Sequence, residues 1–157
     1  MIRPMVRDDK EGVMNIVRRT ALFTPQEAAV AEEVIDAFLD RPEAGDYEAV
    51  VFQNGERGPA GYAVFGPTPL TEGTYDLYWI AVAPERRSSG IGRRLMAFVE
   101  ERLRGKGARM LLVETSSQPR YKPTRGFYLA LGYKEAARIA GFYKPGDDRV
   151  TYAKYFG

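Results

Sequence analysis

The chain has 157 residues and contains neither cysteine nor histidine. Without cysteine there are no disulfides, no thiolate metal sites and no acyl-enzyme built on a thiol. Without histidine the commonest general base, the commonest metal ligand and every Ser-His-Asp arrangement are excluded. Acid–base chemistry is left to Asp, Glu, Tyr, Lys or water, and no metal site is expected. Long apolar runs are also missing. The longest, Leu77 to Ala83, is too short to cross a bilayer. The N-terminal MIRPMVRDDK lacks the apolar core of a signal peptide. A cytoplasmic protein with no membrane partner is expected.

What is present suits one folded unit over residues 1–157, because this length supports a single core. The composition is 45% hydrophobic and 28% charged, the balance of an ordinary globular chain. The net charge of +2 hides an asymmetry. Residues 1–83 carry seven basic and fourteen acidic side chains, a net of −7. Residues 84–157 carry sixteen basic and seven acidic, a net of +9. Scatter over a solvated surface is one explanation; a basic half that meets an anion and an acidic half that meets a cation is the sharper one.

Local patterns give an order of elements. Ile2 to Val6 reads as a strand, and Asp8 or Asp9 is placed to cap a helix reaching about Thr20, with Val13, Ile16 and Val17 on one face. Thr24-Pro25-Gln26-Glu27 combines an N-cap, a proline at the first helical position and a capping-box glutamate. The helix that follows presents Ala31, Val34, Ile35 and Phe38 at helical spacing. Tyr47–Phe52, Gly61–Phe65 and Thr74–Val82 then read as an antiparallel meander. Leu77 to Val82 is apolar or aromatic throughout, which predicts a strand covered on both faces. A helix follows to about Arg104, with Leu95, Phe98, Val99 and Leu103 inward and Gly105 or Gly107 ending it. Met110–Val113 is the next strand, with Glu114 at its end. Pro123 opens a further helix that Gly132 closes. Tyr133–Ile139 and Val150–Tyr155 are the last strands, joined by a turn at Pro145-Gly146-Asp147-Asp148. The order β-α-α-β-β-β-α-β-α-β-β predicts a mixed sheet with helices on both faces.

The stretch Arg86-Arg87-Ser88-Ser89-Gly90-Ile91-Gly92-Arg93-Arg94-Leu95 sits between the third of those meander strands and the helix after it. A helix start exposes free N–H groups and the positive end of the dipole. Glycines let backbone approach a ligand closely, and Ser88 and Ser89 add hydroxyls that can also cap the helix. Arginines at 87, 93 and 94 add charge. This is pyrophosphate-binding chemistry, although a glycine-bearing turn with capping serines explains the stretch on its own. The Walker pattern is absent, and the dinucleotide fingerprint lacks its third glycine because Leu95 stands there.

Arg87-Ser88-Ser89-Gly90-Ile91-Gly92 resembles the (Gln/Arg)-x-x-Gly-x-(Gly/Ala) signature of the GNAT superfamily of N-acetyltransferases. The strand ending Ile80-Ala81-Val82 and the Pro84 turn precede it, as in that family. Gly126-Phe127-Tyr128-Leu129-Ala130-Leu131-Gly132-Tyr133 is similar to the family helix that ends in Tyr-x-x-x-Gly-(Phe/Tyr). The resemblance spans nearly the whole chain. It implies an α/β (α+β) fold of GNAT type, a central mixed sheet of about seven strands flanked by four helices. It implies acetyl-CoA as donor, its pyrophosphate held by the amides of Ser88, Ser89, Gly90, Ile91, Gly92 and Arg93. Arg87 and Arg93 would supply charge, and the backbone of Ile80, Ala81 and Val82 would pair with the pantetheine arm. Tyr128 falls on the family's general-acid tyrosine, which protonates the departing thiolate. One departure stands out: many members carry Asn and Ala where this chain has Tyr121 and Thr124.

The implied reaction is direct transfer of acetyl to an amine, since no cysteine exists to carry it. A carboxylate, acting through water, must take the amine's proton. Asp76 and Glu114 are the two candidates, with a solvated strand end and an arginine partner as their respective alternatives. The N–H of Ile80 or Ala81 is expected to stabilise the oxyanion. Leu22-Phe23-Thr24 and Gly141-Phe142-Tyr143-Lys144 are expected to shape the acceptor site. Their aromatics, with the acidic first half, suit a small cationic amine or an amino acid as partner. A non-catalytic acyl-CoA sensor and a protein N-acetyltransferase are the rival readings. No nucleic-acid partner is expected, because Glu100, Glu101 and Glu135 interrupt the basic half and no binding motif is present. Tyr152, Tyr155 and Phe156 suit either the core or a homodimer surface.

Overall fold

The computed structural model describes all 157 residues. Its elements run in the expected order: β1 (Ile2–Pro4), α1 (Lys10–Arg19), α2 (Pro25–Asp40), β2 (Glu48–Gln53), β3 (Pro59–Pro67), β4 (Thr74–Val82), α3 (Ile91–Gly105), β5 (Met110–Ser116), α4 (Lys122–Ala130), β6 (Lys134–Lys144) and β7 (Asp147–Tyr155). The seven strands form one sheet in the order β1-β2-β3-β4-β5-β7-β6. Every neighbouring pair is antiparallel except β4 and β5.

The start of α2 follows from its own residues. The Thr24 hydroxyl accepts from the Glu27 amide at 3.1 Å, and Glu27 accepts from the Thr24 amide at 3.3 Å, so the capping box before α2 forms as written. Asp9 stands at the start of α1 without capping it. Its carboxylate instead accepts two 2.8 Å bonds from the Arg3 guanidinium and one, also 2.8 Å, from the Val6 amide. That ties β1 to the entry of α1.

The two faces of the sheet carry separate cores. Val13, Ile16 and Val17 of α1 and Ala31, Ile35 and Phe38 of α2 pack with Val51, Tyr62 and Val64 on one face. Leu95, Met96, Val99 and Leu103 of α3 and Tyr128 of α4 pack with Phe65, Leu111 and Val113 on the other. Gly61 in β3 lets α3 approach closely. A Cβ there would lie 3.0 Å from Ile91 Cγ2 and 3.2 Å from Leu95 Cδ1, so a larger residue would push the helix start away.

The sheet is forked at its centre. β4 pairs with β5 only from Thr74 to Leu77, opposite Met110 to Val113. Beyond that point Trp79–Val82 pair with β3 alone and Glu114–Ser116 with β7 alone. A bulge accompanies the parting. Phe65 faces Leu77 and Val64 faces Trp79, which leaves Tyr78 as an extra residue in β4. Bulges bend and twist a strand, and this one also resets the side-chain alternation. Leu77 and Ile80 lean to the α3 and α4 core, whereas Tyr78 and Trp79 both pack on the α1 and α2 side. The expectation that Leu77–Val82 is covered on both faces is therefore corrected. Only Leu77 and Ala81 in this run are buried, because the strand loses its neighbour on one side.

Most strand boundaries shift from the sequence reading by a few residues: β1 stops at Pro4, β2 moves by one and β3 extends to Pro59–Pro67. β5 continues to Ser116, so Glu114 lies within it. The last hairpin is longer than expected and turns on Pro145-Gly146, with Asp147 and Asp148 already in β7. Between Ile139, opposite Arg149, and Lys144, opposite Asp147, the register is lost, and residues 140–143 arch out of the ladder. Tyr152 is buried and Tyr155 is exposed, so those two tyrosines divide between core and surface.

Candidate active site

A short turn at Pro84–Arg86 carries the chain from the open end of β4 to α3. Ser88 has φ +61° and Gly90 has φ +86°. Left-handed residues in a turn let successive N–H groups face an anion, as in backbone nests. None of the amides from Ser88 to Arg93 donates to a backbone carbonyl or to a side chain, and the first bonded amide of the helix is Arg94, 3.0 Å from the Gly90 carbonyl. The run exceeds what a helix start alone leaves free. The serines do not cap α3, as their type had suggested: Gly90 occupies the N-cap, and the Ser89 hydroxyl donates back to the Arg86 carbonyl. Arg87 and Arg93 are exposed and form no ion pair, whereas Arg94 stacks over Phe52 at 4.7 Å. Of the four arginines at this turn, Arg87 and Arg93 are the exposed ones with neither an ion pair nor a ring partner. These features fit a pyrophosphate.

The edge of β4 adjoins this turn. The Ala83 amide donates to the Ala60 carbonyl of β3 at 2.8 Å. Backbone groups alternate sides along a strand, so Ala81 also turns its N–H and C=O to β3. Ile80 and Val82 present theirs to the fork. For the expected backbone contacts this separates the three residues: Ile80 and Val82 have backbone groups free of β3, Ala81 does not, and of Ile80 and Ala81 only Ile80 has an N–H free at the fork.

On the α3 and α4 face of the fork lies Tyr128, 5% exposed. Its ring contacts those of Phe127, Tyr133 and Tyr152 at 5.3, 5.9 and 6.4 Å. Its hydroxyl has no partner in the chain, and burial pushes the phenol well above its ordinary value. The Thr115 hydroxyl is also buried without a partner. Leu111 and Val113 place this face of β5 in the α3 and α4 core, and alternation puts Thr115 there with them. Two unpartnered hydroxyls thus line the same side of the fork. Gly92 links the turn to this wall, since a Cβ there would lie 3.3 Å from Phe127 Cζ.

The opposite face carries the two candidate carboxylates. Asp76 lies in the paired part of β4, opposite Leu112, and accepts from the Thr68 hydroxyl at 2.7 Å. Glu114 lies past the parting point and is half exposed. It accepts from the Tyr143 hydroxyl at 2.9 Å, and Arg149 Nε stands 3.7 Å from its other oxygen. Burial, and then the bond to Glu114, push the Tyr143 phenol above its usual value. Arg149 also lies over the Phe142 ring at 4.7 Å. The expected acceptor segments therefore meet different neighbours. Phe142 and Tyr143 gather with Glu114, while Phe23 stands edge-on to Trp79 at 5.3 Å. The Tyr121 hydroxyl donates to the Leu22 carbonyl at 3.1 Å and so joins the loop before α2 to the turn before α4. Thr115 and Arg149 do not stand out as site groups in the sequence; strand register brings them in, and no local pattern signals it.

Residues 11–133 match the acetyltransferase (GNAT) family. The sequence has no significant match among curated proteins. Among solved structures, a protein of Desulfovibrio desulfuricans described as a GNAT-family acetyltransferase is 45% identical, with a TM-score of 0.94 over 99% of this chain and 98% of its own. An aminoglycoside 6'-N-acetyltransferase bound to coenzyme A is similar in fold, at 18% identity and a TM-score of 0.76, covering 99% of this chain and 96% of its own. A ribosomal-protein-alanine N-acetyltransferase from Brucella melitensis has the same TM-score of 0.76 at 21% identity, covering 99% of each chain. With its forked seven-stranded sheet, its four helices and its free amides before α3, this chain belongs to the GNAT acetyltransferase family.

Proposed function

We propose that the chain moves the acetyl group of acetyl-CoA directly to the primary amine of a small molecule or an amino acid. The observation that carries this reading is the fork. It joins an open backbone edge at Ile80 and Val82 to the unpartnered amides of Ser88–Arg93. One continuous surface thereby offers hydrogen bonds to an amide-bearing arm and positive potential to a pyrophosphate. The coenzyme A in the aminoglycoside enzyme of the same fold supports the same donor. The Thr115 hydroxyl, buried and unpartnered beside the fork, is a further polar contact for that arm.

The chemistry then divides between the two faces. The amine nitrogen forms a bond to the acetyl carbon while the carbon–sulfur bond breaks. Glu114 takes the amine's proton through water, its position past the parting point favouring it over Asp76. The Ile80 N–H faces the developing oxyanion. Tyr128 stays protonated because burial raises its phenol, so it donates to the departing sulfur. The same apolar surroundings raise the basicity of that thiolate, which favours the proton's transfer to it.

A thiol reagent tests this directly, since a chain without cysteine contributes no background. Acetyl-CoA is incubated with amino acids, polyamines, aminoglycosides and short peptides, with the Tyr128→Phe variant in parallel. Thiol release should require one class of amine. It should fall in the variant by about 10²–10⁴-fold, the usual size of a lost proton donor, with acetyl-CoA binding retained. Binding of acetyl-CoA without release from any amine would show a sensor rather than an enzyme.

A further inference from the structure

Glu114 and Arg149 are opposite charges that stand close without satisfying each other. Arg149 Nε is 3.7 Å from Glu114 Oε1, beyond hydrogen-bond reach. The Nε atom is nevertheless buried and has no other partner. Buried donors are nearly always paired, and no other hydrogen bond holds the Arg149 guanidinium, so the chain itself leaves this charge without a full partner. Both side chains remain reachable, at 31% exposure for Arg149 and 50% for Glu114.

The surroundings fix the pair in place. Arg149 and Glu114 project from adjacent strands on the same face, since Glu114 is opposite Thr151 and Arg149 is opposite Ser116. Phe142 supports the guanidinium at 4.7 Å, and the Tyr143 hydroxyl holds Glu114 at 2.9 Å. Both aromatics belong to the arch at 140–143. That arch is pinned by the Gly141 amide, which donates to Asp148 at 2.9 Å, and by Arg138, which donates to the same carboxylate at 3.2 Å.

We propose that this pair selects an acceptor with a carboxylate next to its amine, a free α-amino acid. The acceptor's carboxylate takes the Arg149 guanidinium, and its amine faces Glu114 across the water that carries its proton. Two adjacent opposite charges bind a zwitterion head to tail, each ionic group of the ligand meeting its counter-charge. Arginine suits the task because its planar fork matches a carboxylate. A polyamine or aminoglycoside would place further positive charge beside the guanidinium, which disfavours it. The inference rests on the transfer reading above and narrows its acceptor.

The test compares each of the common L-amino acids with its own carboxamide in the thiol-release assay, with spermidine alongside. For the best acceptor, kcat/KM of the acid should exceed that of the amide by about tenfold or more, expressed mainly in KM, as loss of one charge-assisted contact implies. Arg149→Gln should bring that ratio close to one by raising KM for the acid, and Arg149→Lys should restore part of it. The acid-to-amide ratio of the unaltered protein decides the question even if a variant folds poorly. Amides or spermidine turned over as well as the acids, or a ratio unmoved by Arg149→Gln, would overturn the inference while leaving acetyl transfer intact. Release from no amine at all would overturn the transfer reading and this inference with it.

Discussion

Asp9 shows how one buried carboxylate is held charged. Burial on its own would raise its pKa, but the hydrogen bonds from the Arg3 guanidinium and the Val6 amide together outweigh it and leave the carboxyl below its ordinary value. A carboxyl depressed in the folded state contributes stability above its unfolded pKa, near 3.9 for Asp, and loses it as pH falls through the folded value. Asp9→Asn should therefore cost about 2–3 kcal/mol near neutral pH, typical of hydrogen bonds to a charged group. Urea midpoints measured from pH 7 down to pH 2.5 should converge between the two proteins below about pH 4. Curves that stay parallel would mean the carboxylate is not held charged by these contacts. The sequence offered Asp8 or Asp9 as a helix cap. It gave no sign that Asp9 would turn to Arg3, because that pairing depends on β1 lying beside the start of α1.

The turn between β4 and α3 works as one piece. Gly90 has φ +86° and no atom within 4 Å of where a Cβ would sit, so only backbone conformation requires glycine there. An alanine at that φ costs about 1–2 kcal/mol, which the turn relieves by unwinding and so disperses the free amides. Gly90→Ala is expected to lower stability by about 1 kcal/mol and to weaken acetyl-CoA binding about tenfold. Titration calorimetry and urea unfolding read the two effects separately. Unchanged affinity would mean the amides of this turn are not the pyrophosphate site. The motif and the position of α3 were legible in the sequence, since glycine spacing, charge and an amphipathic helix are local features. Which amides remain free was not, because the serines read as caps until the backbone placed Gly90 at the N-cap.

Over the whole molecule the charge division has a consequence. The half with net charge +9 supplies Arg87 and Arg93, neither of them spent on an ion pair, beside the turn proposed to hold the donor's pyrophosphate. Exposed charges are screened within about 10 Å at 0.1 M salt. Acetyl-CoA affinity should fall several-fold as NaCl rises from 50 to 500 mM, with a smaller slope for Arg87→Gln. A flat response would remove any role for this charge in donor binding. Most of the architecture could be read from the chain, because helical spacing, the capping box at Thr24, strand composition and turn residues act over a few positions and need no distant partner. The order of elements and the donor motif followed from them. The fork could not be read in this way. Where β4 leaves β5 depends on a bulge at Tyr78 set by pairing with β3, and continuous apolar residues there looked like a fully covered strand. The union of Glu114, Tyr143 and Arg149 likewise depends on register among three strands that the sequence separates. Short-range physics is written in neighbouring residues; the site's second half is built from contacts that exist only once the sheet has closed.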